Sequence, residues 1–183
     1  MKHANELFQL NGKVAIVTGG RGLCGASISA GLCEMGGTVI IASRNGEKCE
    51  EYAAELRSQG YSAKGLPLDL NDDVSIRVLE ETVIREYGKI DILVNNAVDR
   101  RNLRPLEKAT REALQASAST NLNGQILLSQ AVLRHMVQAK SGSIINISSM
   151  RGLDCPHFPF YPESMENEVN YTTEKLSLIH ISE

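Results

Sequence analysis

A chain of 183 residues, 42% hydrophobic and 22% charged, has room for one domain with a substantial core. Its formal net charge of −3 excludes the basic footprint of a nucleic-acid binder, and no run approaches the ~18 apolar residues that cross a bilayer. The first residues, Met1-Lys2-His3-Ala4-Asn5-Glu6, lack the apolar centre of a secretory signal, so a cytoplasmic protein with neither nucleic-acid nor membrane partners is expected.

Taken in chain order, apolar strand-like runs fall at Val14 to Thr18, Thr38 to Ala42, Ala63 to Leu68, Ile90 to Asn95 and Ser143 to Ser148. Helical periodicity separates them, near Ala26 to Met35, Glu47 to Ser58, Val74 to Tyr87 and over a long stretch from about Arg111 to Gln138. In that last stretch Leu114, Leu122, Ile126, Leu127 and Leu133 are read as the apolar stripe. Strands alternating with helices predict an α/β fold, a doubly wound, mostly parallel, Rossmann-like sheet covered on both faces. Right-handed crossovers place the first strand in the middle, and the ligand crevice opens at the strands' carboxyl ends.

Directly after the first strand comes Gly20-Arg21-Gly22-Leu23-Cys24-Gly25, a G-x-G-x-x-G turn that leads into a helix. Such a turn lets the chain leave the strand sharply, lets a pyrophosphate approach the backbone at Gly22, and lets the helix press on the sheet at Gly25. The free N–H groups at the helix start then face the phosphates. The second strand ends in Ser43-Arg44-Asn45, where an acidic residue commonly grips the adenosine ribose. Ser43 can hydrogen-bond a 2′-phosphate and Arg44 can pair with it bidentately, so NADP(H) is preferred over NAD(H), with Arg21 a second candidate cation. The alternative reading makes Arg44 a solvated residue that opens the next helix.

The third strand closes in Leu68-Asp69-Leu70, the fourth in Asn95-Asn96-Ala97, and the fifth, Asn146-Ile147-Ser148-Ser149, ends in two hydroxyls. Further on, Tyr171 and Lys175 stand four apart, on one face of a helix. Cys24, Cys33, Cys49 and Cys155 lack both Cys-x-x-Cys spacing and paired histidines, so reduced thiols and no metal are expected. Arg100, Arg101, Arg104 and Lys108 form a basic cluster that reads as a solvated loop, or as an anion contact.

From Lys13 to Lys175, the order glycine turn, Asn-Asn-Ala, Asn121 with Gly124, Asn-Ile-Ser-Ser, Tyr-x-x-x-Lys resembles the short-chain dehydrogenase/reductase family. The resemblance implies hydride exchange between a nicotinamide and an alcohol or carbonyl carbon, with Ser149, Tyr171, Lys175 and Asn121 at the catalytic positions. A free tyrosine titrates near ~10, and the Lys175 ammonium together with an oxidised nicotinamide would stabilise its phenolate. By the same likeness Lys175 holds the nicotinamide ribose, Ser149 hydrogen-bonds the substrate oxygen, and Asn121 steadies a water that relays the proton. Cofactor contacts are expected at Thr18, Gly19, Gly20, Arg21, Gly22, Leu23, Gly25, Ser43, Arg44, Asp69, Leu70, Asn95 and Ala97. The family also builds tetramers from the helices around Arg111 to Gln138 and after Tyr171, which implies a homo-oligomer.

The chain departs from the family pattern in several places. Val98 replaces the glycine that usually follows Asn-Asn-Ala, which is expected to loosen the cofactor's fit, and the glycine turn is spaced as in the family's extended members. Ser149 and Tyr171 are unusually far apart, and the intervening proline- and aromatic-rich stretch reads as a loop at the substrate mouth. There His157, Tyr161 and Glu163 either contact substrate or only pack. A comparable insertion occurs in relatives that act on sugars and acylated sugars. Residues 1–12 are read as an extension and 13–175 as an incomplete dinucleotide-binding domain. Residues 176–183, Leu-Ser-Leu-Ile-His-Ile-Ser-Glu, look like a translated sequencing-library adapter, a non-native tail, and the whole is expected to be the N-terminal piece of a longer enzyme. A non-catalytic nucleotide-binding module or inactive fragment is the competing reading, and a structural scaffold ranks behind both.

Overall fold

The computed structural model describes residues 7–154 and 168–180. Five parallel strands, β1 (Val14–Thr18), β2 (Thr38–Ser43), β3 (Ser62–Pro67), β4 (Ile92–Asn95) and β5 (Ser143–Asn146), pair in the order β3-β2-β1-β4-β5. The first strand is therefore central, and the chain reverses its winding direction there. In register Thr18 lies beside Ala42, Ser43 beside Pro67, and Asn95 beside Asn146. All five carboxyl ends thus reach one edge.

Alternation along β1 and β2 builds two cores. Val14, Ile16 and Ile40 face α3 (Asp73–Tyr87) and α5 (Gly124–Ala139), whereas Ala15, Val17, Val39 and Ile41 face α1 (Leu23–Glu34) and α2 (Gly46–Ser58). Because both faces are covered there, β1, β4 and the interior of β2 are buried at successive positions, whereas the edge strand β3 alternates between buried and more exposed residues. Helix caps follow the local sequence: Asn45 accepts from Lys48 N–H, Asp72 from Val74 N–H, and Gly88, at φ 74°, ends α3 in the left-handed region.

Three expectations need correction. The long helix is broken into α4 (Arg111–Ala118), a π-helical turn (Ser119–Asn123) and α5. Its core face is also different from the expected stripe. Leu128, Val132 and Met136, spaced four apart, are buried against the sheet, while Leu114, Ile126, Leu127 and Leu133 are exposed. The inserted π turn rotates the second half of the helix relative to the first, so no single helical period describes both. In addition, α1 begins at Leu23, inside the glycine turn, three residues earlier than periodicity indicates. The last described helix, α6 (Val169–Leu178), packs against α4, and Leu178 is buried.

Candidate active site

At the end of β1 the chain turns through Gly19, whose φ of 63° favours glycine and whose N–H donates to Ala42 O at 2.7 Å. A side chain at Gly25 would place its Cβ 2.1 Å from Gly19 O, so α1 approaches this turn as closely as backbone allows. Gly22 caps α1 without a side chain, leaving the first N–H groups of the helix to a ligand. Thr18 Oγ1 accepts from the N–H groups of Asn96 and Ala97, each at 3.0 Å, and the Asn96 amide donates to Thr18 O (2.9 Å) and Gly19 O (3.3 Å). Asn96 thus ties the end of β4 to the glycine turn, a role its position in an Asn-Asn-Ala turn did not announce.

Two cavities meet above these strand ends. The smaller, about 120 Å³, is lined by Thr18, Ser43, Arg44, Asp69, Leu70 and Asp99 among others. The larger, about 600 Å³, runs over Arg21, Gly22, Leu23 and Gly25 to Ser148, Tyr171 and Lys175. Gly19, Ser43, Ala97 and Val98 line both, making one continuous crevice from β2 to α6. Val98, about two-fifths exposed, borders it.

On α6 Tyr171 and Lys175 share a face, as their spacing requires. The Lys175 ammonium lies 5.8 Å from the Tyr171 ring centroid and donates to Ile147 O at 2.6 Å. Lys175 is only 4% exposed; burial pushes its pKa down, and the neighbouring Glu174 carboxylate opposes that shift. Ser148 Oγ donates to Lys175 O at 2.7 Å, joining the end of β5 to α6. Ser149 Oγ instead accepts from Arg151 N–H at 3.3 Å, capping a short 3₁₀ helix (Met150–Gly152), and does not line the larger cavity.

Asn121 sits in the π turn, buried and fully bonded. Its Oδ1 accepts from Asp99 N–H (2.7 Å), and its amide donates to Asp99 O (3.0 Å) and Glu174 Oε2 (2.8 Å). Glu174, between Tyr171 and Lys175 on the chain, is a functional-site neighbour that sequence reasoning missed. Burial pushes its pKa up, and its Oε1 has no partner among the described residues. The only sequence signal was a charged residue inside the Tyr-x-x-x-Lys spacing.

Two expected cofactor contacts turn elsewhere. Asn95 is fully buried and lines neither cavity; its amide donates to Ser129 Oγ (2.8 Å) and Asn146 Oδ1 (2.9 Å), bracing β4 against α5 and β5. Gly20 is also buried and lines neither cavity, its carbonyl accepting from Ser29 Oγ at 2.9 Å. The basic cluster divides as well. Arg100 stacks 5.6 Å from the Tyr171 ring centroid, Arg101 grips Asp99, and Arg104 donates to the carbonyls of Arg101 and Leu103. His157, Tyr161 and Glu163 lie outside the described residues.

The short chain dehydrogenase family model matches residues 13–166, and the chain belongs to that family, which binds NAD(P). It is 31% identical to D-threitol dehydrogenase of Mycolicibacterium smegmatis, an alignment that covers all of this chain and 68% of that protein. Gluconate 5-dehydrogenase of Gluconobacter oxydans is 34% identical over 80% of this chain and 57% of its own length. Among solved structures, a gluconate 5-dehydrogenase from Burkholderia cenocepacia in complex with NADP and tartrate has a TM-score of 0.84 at 32% identity, covering 98% of this chain and 66% of that one. An NAD+-bound xylitol dehydrogenase has a TM-score of 0.83 at 28% identity, over 94% and 63%. The chain spans between just over half and about two thirds of the length of these proteins. No helix among the described residues is long and apolar enough to cross a membrane.

Proposed function

We propose that the protein containing this chain is an oxidoreductase that moves a hydride between NADP(H) and an alcohol or carbonyl carbon of a small polyhydroxy molecule. The observation that carries this reading is a single crevice bordered by the bare glycine turn at one end and by Tyr171 beside a buried Lys175 at the other. The crevice fits a dinucleotide: the close approach at Gly25 and the uncapped start of α1 form a phosphate cradle, and Ser43, Arg44 and Asp69 border the adenosine end. Named relatives acting on threitol, gluconate and xylitol support the polyhydroxy class.

The bound dinucleotide supplies or accepts the hydride. Tyr171 exchanges the accompanying proton with the substrate oxygen, and Lys175, anchored by Ile147 O, keeps a positive charge beside that phenol. Ser149 accepts from Arg151 N–H, which leaves its own O–H proton to donate to the substrate oxygen as charge develops there. Asn121 has its side chain spent on Asp99 and Glu174, so its part in a proton relay runs through its backbone carbonyl, in a π turn where the i→i+4 ladder is interrupted. Exposed Leu114, Ile126, Leu127, Leu133 and Val137 on α4 and α5 support burial of that face in a homo-oligomer.

Tyr171→Phe tests the assignment. NADPH binding, followed by nicotinamide fluorescence, is retained, while turnover of a polyol and keto-sugar panel falls at least about a hundredfold. Normal turnover in this variant overturns the role of Tyr171.

A further inference from the structure

Among the described residues, Asp99 is the acidic side chain on the crevice that the proposed chemistry leaves without a task at the adenosine end and that touches the residue expected to read a phosphate there. It follows directly on Val98, is 5% exposed, and borders the smaller cavity together with Ser43 and Arg44. Its carboxylate lies 3.2 Å from Arg44 Nη1. Arg101 holds it from the other side, with Nε 3.0 Å from each oxygen and its backbone N–H 3.0 Å from Oδ1. Those Arg101 bonds, with the charge of Arg44, hold the carboxyl down at about 2, so it is an anion at every working pH.

We infer that Asp99 is a specificity-determining residue for the cofactor: its carboxylate engages Arg44 and weighs against the 2′-phosphate that distinguishes NADP(H) from NAD(H). This rests on the reading of Arg44 as the phosphate-reading cation. A guanidinium shared with a buried carboxylate offers a phosphate less than a free one, because the phosphate must displace or share the partner it already has. A second anion at the same end of the crevice also repels a group that arrives with nearly two negative charges. Arg101 tempers both effects by partly neutralising Asp99. The chain therefore holds an attractive and a repulsive element side by side, an arrangement that sets a ratio of affinities rather than one affinity.

The readout is the ratio of NADPH to NADH affinity in the protein containing this chain, measured by fluorescence titration of each cofactor, so that any general loosening of the site cancels. Asp99→Asn keeps the shape and the backbone grip on Asn121 while removing the charge, and it raises the ratio by about threefold or more, as expected for a partly exposed ion pair. Arg101→Ala, which leaves Asp99 less neutralised, lowers the ratio. Arg44→Ala alone also lowers it. An Asp99→Asn ratio equal to or below wild type overturns the inference; if Arg44→Ala lowers the ratio in the same experiment, the phosphate reading stands without it. If Arg44→Ala leaves the ratio unchanged, the reading of Arg44 falls and takes this inference with it.

Discussion

Gly25→Ala places a methyl group 2.1 Å from the Gly19 carbonyl oxygen and 2.8 Å from the Asn96 amide nitrogen. Neither neighbour can yield easily. Gly19 is pinned by its bond to Ala42 O, and Asn96 by its bonds to Thr18 O and Gly19 O. The methyl must therefore push α1 outward or break the Asn96 bridge. Forcing extra volume into such a contact costs about 1–3 kcal/mol, and a lost hydrogen bond of this kind about 1 kcal/mol more. In a protein of this size each kcal/mol moves the thermal midpoint by about 2–4 °C, so the variant melts about 5–15 °C below wild type. A shift of the cradle that costs the ligand about 1.4 kcal/mol is a tenfold loss of affinity, and NADPH binding weakens by at least about that much. Gly31→Ala is the control on the same helix. No described atom lies within 4 Å of its added Cβ, and alanine in a helix interior is favoured over glycine by about 0.5–1 kcal/mol, so this variant melts slightly later. Calorimetry on both, with NADPH titration, decides the matter. A Gly25→Ala protein that melts with wild type refutes the close approach, and a Gly31→Ala protein that melts as early shows that α1 resists any added methyl.

Leu128→Ala removes a fully buried side chain from the α3–α5 core and lowers stability by about 2–5 kcal/mol in urea unfolding. Leu127→Ala, one position away on the exposed face, changes urea stability of the unassociated chain by less than about 0.5 kcal/mol but weakens self-association in sedimentation; equal losses in urea would mean the two faces are misassigned. Glu174 has a folded pKa raised by burial, so the ionised form is the less stable one inside the fold. Its stability contribution is present below the unfolded glutamate value of about 4.3 and is lost as pH rises through the raised folded value. Glu174→Gln is therefore more stable than wild type at pH 8, and its advantage shrinks toward pH 4; a pH-independent difference in melting temperature contradicts this.

The parallel sheet could be read from the chain because both faces are buried: Val14 to Val17 and Val39 to Ala42 are apolar without interruption, and two helical crossovers on each side leave β1 only the centre. The glycine turn was legible for a similar reason, since backbone contact at Gly25 admits no other residue. The α5 face was not. Ile126, Leu127 and Leu133 are as apolar as Leu128 and Val132, and the one-residue insertion of a π turn decides which set meets the sheet. Asn95 and Asn96 are likewise identical in kind, yet one braces β4 against α5 and β5 while the other clamps the glycine turn.

Local chemistry along the chain determined the strand and helix alternation, the phosphate-type turn, and the shared face of Tyr171 and Lys175, because each depends on backbone periods of two to four residues. Tertiary structure alone decided that Arg44 meets Asp99 across 55 positions and that Asn121 meets Glu174 across 53. Those contacts depend on where the ends of separate strands and helices come to rest, and a charge has no period by which its distant partner could be read.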